Sequence, residues 1–105
     1  MLTEANDATF QLEVLQAQGP VLVEFYTPSC GPCQQLEPHL RKLAQRYYGR
    51  LKVVKINSYN AQNVASHYGV RMAPTIIIFQ NGYPIQTING APPPQRLEQI
   101  AQQFI

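Results

Sequence analysis

The chain holds two cysteines, and only two residues separate them, in Cys30-Gly31-Pro32-Cys33. Two thiols so close together could staple the fold, supply half of a metal site, or exchange disulfides. A staple is weakly motivated, because in the chain-entropy model a loop of about four residues yields roughly 2 kcal/mol against about 4.7 for a loop of 100. Zinc needs a second half-site, and the remaining candidates, His39 and His67, are distant from each other and unpaired. No metal is therefore expected. Exchange chemistry accounts for the position as well as the spacing. Cys30 ends a strand-like run and precedes a helical pattern, so unsatisfied N–H groups and the positive end of a helix dipole face its sulfur. Both favour the thiolate, which is the nucleophile. Cys33 lies one helical turn further on, within reach of the first sulfur. Gly31 permits the tight approach, and Pro32 fixes φ in the first turn without removing a needed donor.

These residues must be held by neighbouring elements, and the pattern along the chain supplies them. Val21–Tyr26 reads as a buried strand running into the motif. From about Pro32 a long helix is predicted, with Leu36, Leu40, Leu43, Ala44 and Tyr47 recurring at spacings of three and four. Pro38 should kink it and Gly49 should close it. Upstream, Asn6 or Asp7 can cap a first helix whose inner side is Phe10, Val14 and Leu15 or Ala17, ended by Gly19-Pro20. Downstream, Leu51–Ile56 is a second apolar strand, and Val64, Ala65 and Tyr68 mark a short helix stopped by Gly69. Thr75–Phe79 is β-branched and apolar, as an interior strand would be. Asn81-Gly82 is a two-residue hairpin turn, which brings Tyr83–Asn89 back antiparallel. After Pro92-Pro93-Pro94, Leu97, Ile100, Ala101 and Phe104 share one face of a last helix. Residues 1–5 could add an edge strand. The sum is an α/β chain: a central mixed sheet of four to five strands with helices on both faces, in three α/β/α layers.

With 105 residues, a single domain covering 1–105 is expected, large enough to bury a core without metals. No apolar run approaches the roughly 18 residues that a membrane span requires. The N-terminus lacks the basic start and apolar block of a signal peptide, so a cytoplasmic location is the expectation. The net charge of +2 is too small to imply nucleic acid or lipid. Six of the eight basic residues, Arg41, Lys42, Arg46, Arg50, Lys52 and Lys55, nonetheless fall close together. Part of this cluster sits in the last turns of the long helix, where cations complement the dipole. The other reading is a patch that selects acidic partners.

With these residues in view, the chain resembles the thioredoxin family. Cys-Gly-Pro-Cys between strand and helix is that family's motif. Pro38, "VVKIN" at 53–57, "YGVRMAPT" at 68–75 and "FQNG" with the later Gly90 match it in order and spacing over essentially the whole chain. The resemblance implies the thioredoxin fold and thiol–disulfide exchange. Cys30 then corresponds to the attacking nucleophile and Cys33 to the resolving thiol, with no cofactor beyond their own redox-active disulfide. Pro74 matches the family's cis-proline. Ala73, with Met72 before it and Thr75 just beyond Pro74, would pair its backbone with an extended substrate, while Gly90 and Ala91 would form the far wall of the groove. A cysteine near 7 is thioredoxin's own value, carried over with the resemblance; against a free thiol near 8.5 it raises the thiolate fraction at pH 7 from roughly 3% to about half.

Departures from the family pattern are informative. Ser29 precedes the first cysteine where the family usually has Trp, and Tyr26 stands where another Trp is common. The lost flat surface beside the disulfide implies an altered or narrower partner set with the chemistry intact. Glu24 replaces a buried Asp, and "VEFYTP" looks more like the corresponding segment of protein disulfide isomerases. A strand-buried Glu needs a partner or a function. Lys55 is the expected partner, and the functional reading is proton exchange with Cys33. The bland alternative is a buried ion pair without a catalytic part. Tyr59 and Ala73 also differ from the family's usual residues at the groove. His39 and His67 are read as solvent-facing. The resemblance thus points to a protein-disulfide reductase serving disulfide-containing proteins and recycled by a thioredoxin reductase, expected to be monomeric and to need neither nucleic acid nor membrane. The alternatives are an oxidase or isomerase of the same fold, or a binding module in which redox chemistry is incidental.

Overall fold

Five strands, β1 (Leu2–Ala5), β2 (Pro20–Tyr26), β3 (Lys52–Asn57), β4 (Thr75–Gln80) and β5 (Tyr83–Asn89), form one sheet in the order β1-β3-β2-β4-β5. The computed structural model describes residues 1–105. β3 runs parallel to both β1 and β2, whereas β4 pairs antiparallel with β2 and with β5. β2, the strand that leads into the cysteine motif, is therefore interior. Its sequence, apolar along Val21–Val23 and Phe25 and interrupted only by Glu24, follows from burial on both faces.

Alternation along the strands divides the core in two. On one face Leu22, Val53, Ile76 and Ile78 pack against Leu36, Leu40 and Leu43 of helix α1 (Gly31–Arg46) and against Leu97 and Ile100 of helix α3 (Pro94–Gln102). On the other, Val23, Phe25, Val54, Ile56, Ile77 and Phe79 are covered by Phe10, Val14 and Ala65, the last from helix α2 (Gln62–His67). Each fully buried aliphatic side chain contributes about 1.5–3 kcal/mol. This is the three-layer arrangement the pattern predicts, and residues 1–5 do contribute the edge strand. Pro38 lies inside α1, where it offers no N–H to the preceding turn, yet the helix runs on to Arg46.

The first predicted helix is much shorter than its pattern. Only one wide turn forms at Gln11–Leu15, closed by Gln16 N–H donating to the Gln11 carbonyl at 2.9 Å. Asn6 Oδ1 caps the approach, accepting from Ala8 and Thr9 N–H at 2.9 and 3.0 Å. Asp7 instead caps α2, accepting from Asn63 and Val64 N–H at 3.3 and 3.0 Å. The segment is left with Phe10 and Val14 as its buried anchors, too few to hold a longer helix.

The basic cluster is largely neutralised within the chain. Arg41 and Lys55 pair with Glu37, Arg46 with Glu98, and Lys52 with Glu13. Arg50 lies over the Tyr47 ring. This favours the structural reading over an acidic-partner patch.

The β4–β5 hairpin turns through Asn81 and Gly82, at φ 54° and 82°, the two-residue turn that suits a right-twisted ribbon. A Cβ on Gly82 would meet the Leu15 carbonyl oxygen at 3.4 Å in a backbone conformation that L residues avoid. Gly82→Ala should therefore cost about 1–2 kcal/mol in urea unfolding. An unchanged midpoint would show that the turn relaxes instead.

Candidate active site

The motif sits where β2 has ended and α1 begins. Cys30 is the N-cap of α1, in extended conformation (φ −115°, ψ 105°), and its Sγ accepts the Cys33 N–H at 3.1 Å. Its carbonyl accepts the Gln34 N–H at 3.0 Å. One of the helix's orphan donors is thus spent on sulfur, as the position of Cys30 ahead of the helix required. The two cysteines are joined in a disulfide, with their Cα atoms 5.2 Å apart. No group of three or more His, Cys, Asp or Glu side chains is gathered to bind a metal.

The cysteines open onto different spaces. Cys30 lines a surface groove of about 560 Å³ together with Ser29, Pro32, Tyr59, Arg71 and Met72. Cys33 lines a separate cavity of about 200 Å³ with Glu24, Tyr26, Gln34 and Glu37. Of the groove residues expected from sequence, Ser29, Met72 and Ala73 are walls of the first space. The Ala73–Pro74 peptide bond is cis, and Pro74 is buried with its carbonyl accepting the Gly90 N–H at 2.8 Å. Thr75 is buried and its hydroxyl donates to the Met72 carbonyl at 2.7 Å. Gly90 and Ala91 do not line this groove; Tyr59, Val70 and Arg71 complete it instead. Arg71, the groove's one charged residue, is in no ion pair.

Glu24 is 2% exposed, and its Oε2 has no hydrogen-bond partner. Strand register puts Glu4 of β1, Lys55 of β3, Glu24 of β2 and Ile76 of β4 in one row. Lys55 therefore lies between two carboxylates, but it bonds with neither. Contrary to the sequence expectation, its ammonium donates to Glu37 Oε1 of α1 and lies 4.4 Å from the centre of the Tyr26 ring. Glu37 is more exposed than Glu24, so pairing there costs less desolvation. Glu4 is engaged by the Tyr26 hydroxyl, which donates to it at 2.6 Å. Burial pushes the Glu24 carboxyl up to about 7; the Lys55 charge opposes this, while the charges of Glu37 and Glu4 add to it. Glu37 is held below its ordinary range by hydrogen bonds from Lys55 and Arg41.

Sequence reasoning passed over Glu37, Arg71 and Val70. Glu37 carried a usable signal: four residues after Cys33 on the same helix, it must share that cysteine's face.

A family model described as Thioredoxin matches residues 1–103. The chain is 41% identical over 102 residues to Thioredoxin 1 of Nostoc sp., which covers 97% of this chain and 95% of that protein. It is 47% identical over 88 residues to Thioredoxin 1 of Synechococcus elongatus, covering 84% and 82%. It is 42% identical over 100 residues to the chloroplastic M-type thioredoxin of Chlamydomonas reinhardtii, covering 95% and 71%.

Because Glu24 keeps its proton up to about 7 in the folded protein against an ordinary 4.5, folding takes up a proton between those values. The contribution is intact below pH 4.5 and is lost as pH rises through 7, about 3 kcal/mol in all. In urea unfolding of the oxidised protein, Glu24→Gln should gain about that much relative to the unsubstituted chain between pH 4.5 and 8. A difference that stays constant across that range would contradict the assignment.

Proposed function

As the chain belongs to the thioredoxin family, whose chemistry is dithiol–disulfide exchange, we propose that Cys30 attacks and Cys33 resolves. The observation that carries these roles is the separation of the two spaces. Cys30 borders the open groove where a partner can lie, and Cys33 borders the cavity that holds a carboxylate.

In the reduced protein the Cys30 thiolate attacks one sulfur of a partner disulfide. That bond breaks, the partner's other sulfur leaves as a thiolate, and a mixed disulfide forms. Cys33 then gives its proton to the Glu24 carboxylate, and its thiolate attacks Cys30 Sγ. The partner's second sulfur departs, and the Cys30–Cys33 disulfide remains. Two electrons have passed to the partner. A group titrating near 7 suits this step, because it can take the proton and return it when the disulfide is reduced again.

The proposed direction is reductive, towards disulfide-containing proteins, with electrons returned by a thioredoxin reductase in a reducing compartment such as the cytoplasm. Pro32 between the cysteines supports it. Thioredoxin sits near −270 mV and disulfide isomerase near −180 mV, a gap of roughly 4 kcal/mol for two electrons. "VEFYTP" favours the isomerase reading, and a measured potential close to the higher value would select it. In the groove, Ser29 leaves the cysteine without a large flat neighbour, and exposed Tyr59 and Met72 supply apolar contact instead. Partner choice should follow these residues.

Three variants test the roles. Cys33→Ser should accumulate partners bound covalently through Cys30, and the added Cys30→Ser should release them all. Partners retained equally by the double variant would favour a binding module. Glu24→Gln should slow release of a preformed mixed disulfide by about 100-fold at neutral pH in stopped-flow measurement. An unaltered release rate would leave Glu24 as a merely buried residue.

A further inference from the structure

Lys55 is the only cation in the row of strand residues around Glu24, and its register neighbours on both sides, Glu4 and Glu24, are carboxylates. It takes neither and reaches up to α1 for a third, Glu37. Glu37 is held on both oxygens, by Lys55 on Oε1 and by Arg41 on Oε2, from Nη2 at 3.0 Å and Nε at 3.3 Å. Glu4 is taken by the Tyr26 hydroxyl. Of these three carboxylates, only Glu24 keeps a buried oxygen without a partner, facing a cavity that it shares with Glu37 and Cys33.

We propose that Glu37 is a positioning residue for the resolving step: by holding the Lys55 ammonium against α1, it leaves Glu24 unpaired and free to exchange a proton with Cys33. This rests on the reading of Glu24 as the acceptor of the Cys33 proton. Without Glu37, the nearest carboxylates for Lys55 are its two register neighbours, and Glu4 already accepts from Tyr26. The freed cation turns to Glu24, holds it ionised and weakens it as a base. Removing the negative charge of Glu37 acts in the same sense. The groups facing Glu24 are Lys55 from β3, Glu4 from β1, Tyr26 from its own strand, and Cys33 and Glu37 from α1; β4 offers only Ile76. Of these, only Glu37 holds Lys55 away from Glu24. The two cavity carboxylates therefore divide the work, one staying charged to hold a cation and the other cycling its proton.

The oxidised protein gives a clean readout, since with both cysteines in the disulfide neither thiol titrates. In a carbon-13 NMR titration of the glutamate carboxyls, Glu37→Gln should lower the Glu24 midpoint by about one pH unit. In the reduced protein the pH profile for release of a mixed disulfide should move down by the same amount. Most of that drop should vanish when Lys55→Gln is also present, because Glu37 acts through Lys55. A Glu24 midpoint that does not move in Glu37→Gln, or one that drops fully without Lys55, overturns the proposal. A shifted NMR midpoint with an unshifted release profile would instead overturn the proton-acceptor reading on which it rests.

Discussion

A helix that starts on a cysteine has peptide N–H groups with no partner in its own ladder, and here a sulfur satisfies one of them. The Cys33 N–H points at Cys30 Sγ from 3.1 Å, at the positive end of a 16-residue helix. A thiolate at that point gains a hydrogen bond and a favourable field that a neutral thiol gains only weakly. Everything else in the fold serves to hold this arrangement at a surface. Interior β2 delivers the chain to the spot, and Leu36, Leu40 and Leu43 fasten α1 to the sheet behind it.

The second constraint is separation. A dithiol that opened both sulfurs to one groove would let either thiol attack a partner disulfide, with no directed way to release the partner. Here the groove belongs to Cys30 and the carboxylate cavity to Cys33. The partition comes from geometry that the helix imposes. Three residues of α-helix turn the second cysteine inward, towards the row of charged residues that crosses β1, β3 and β2. That row is an expensive place for an unpaired carboxylate, and its cost appears as a proton retained to about 7. Stability is thereby surrendered at neutral pH, at the group proposed to exchange a proton with Cys33.

Much of this was legible from residue types and spacing. The strand before Cys30 and the helix after it follow from Val21–Tyr26 and the Leu36–Tyr47 periodicity, and the hairpin follows from Asn81-Gly82. Cys30, Cys33 and Glu24 announced themselves by type, since two thiols at a helix start and a Glu inside an apolar strand both call for a reason. What could not be read was competition among partners. Lys55 is the natural partner for Glu24 once the two strands are neighbours, and only the placement of α1 on the sheet shows that Glu37 reaches it. Asp7 likewise looks like a cap for its own segment, but the fold brings α2 within its reach. Local pattern names the groups; tertiary placement decides which pairs form.

The central claim concerns the proton on Cys30, and ultraviolet thiolate absorbance followed against pH in the reduced Cys33→Ser protein measures it directly. A sulfur at the mouth of α1 should ionise well below the roughly 8.5 of a free thiol. A midpoint at that free-thiol value would contradict the account, because the helix start would then confer no activation on the cysteine it was taken to arm.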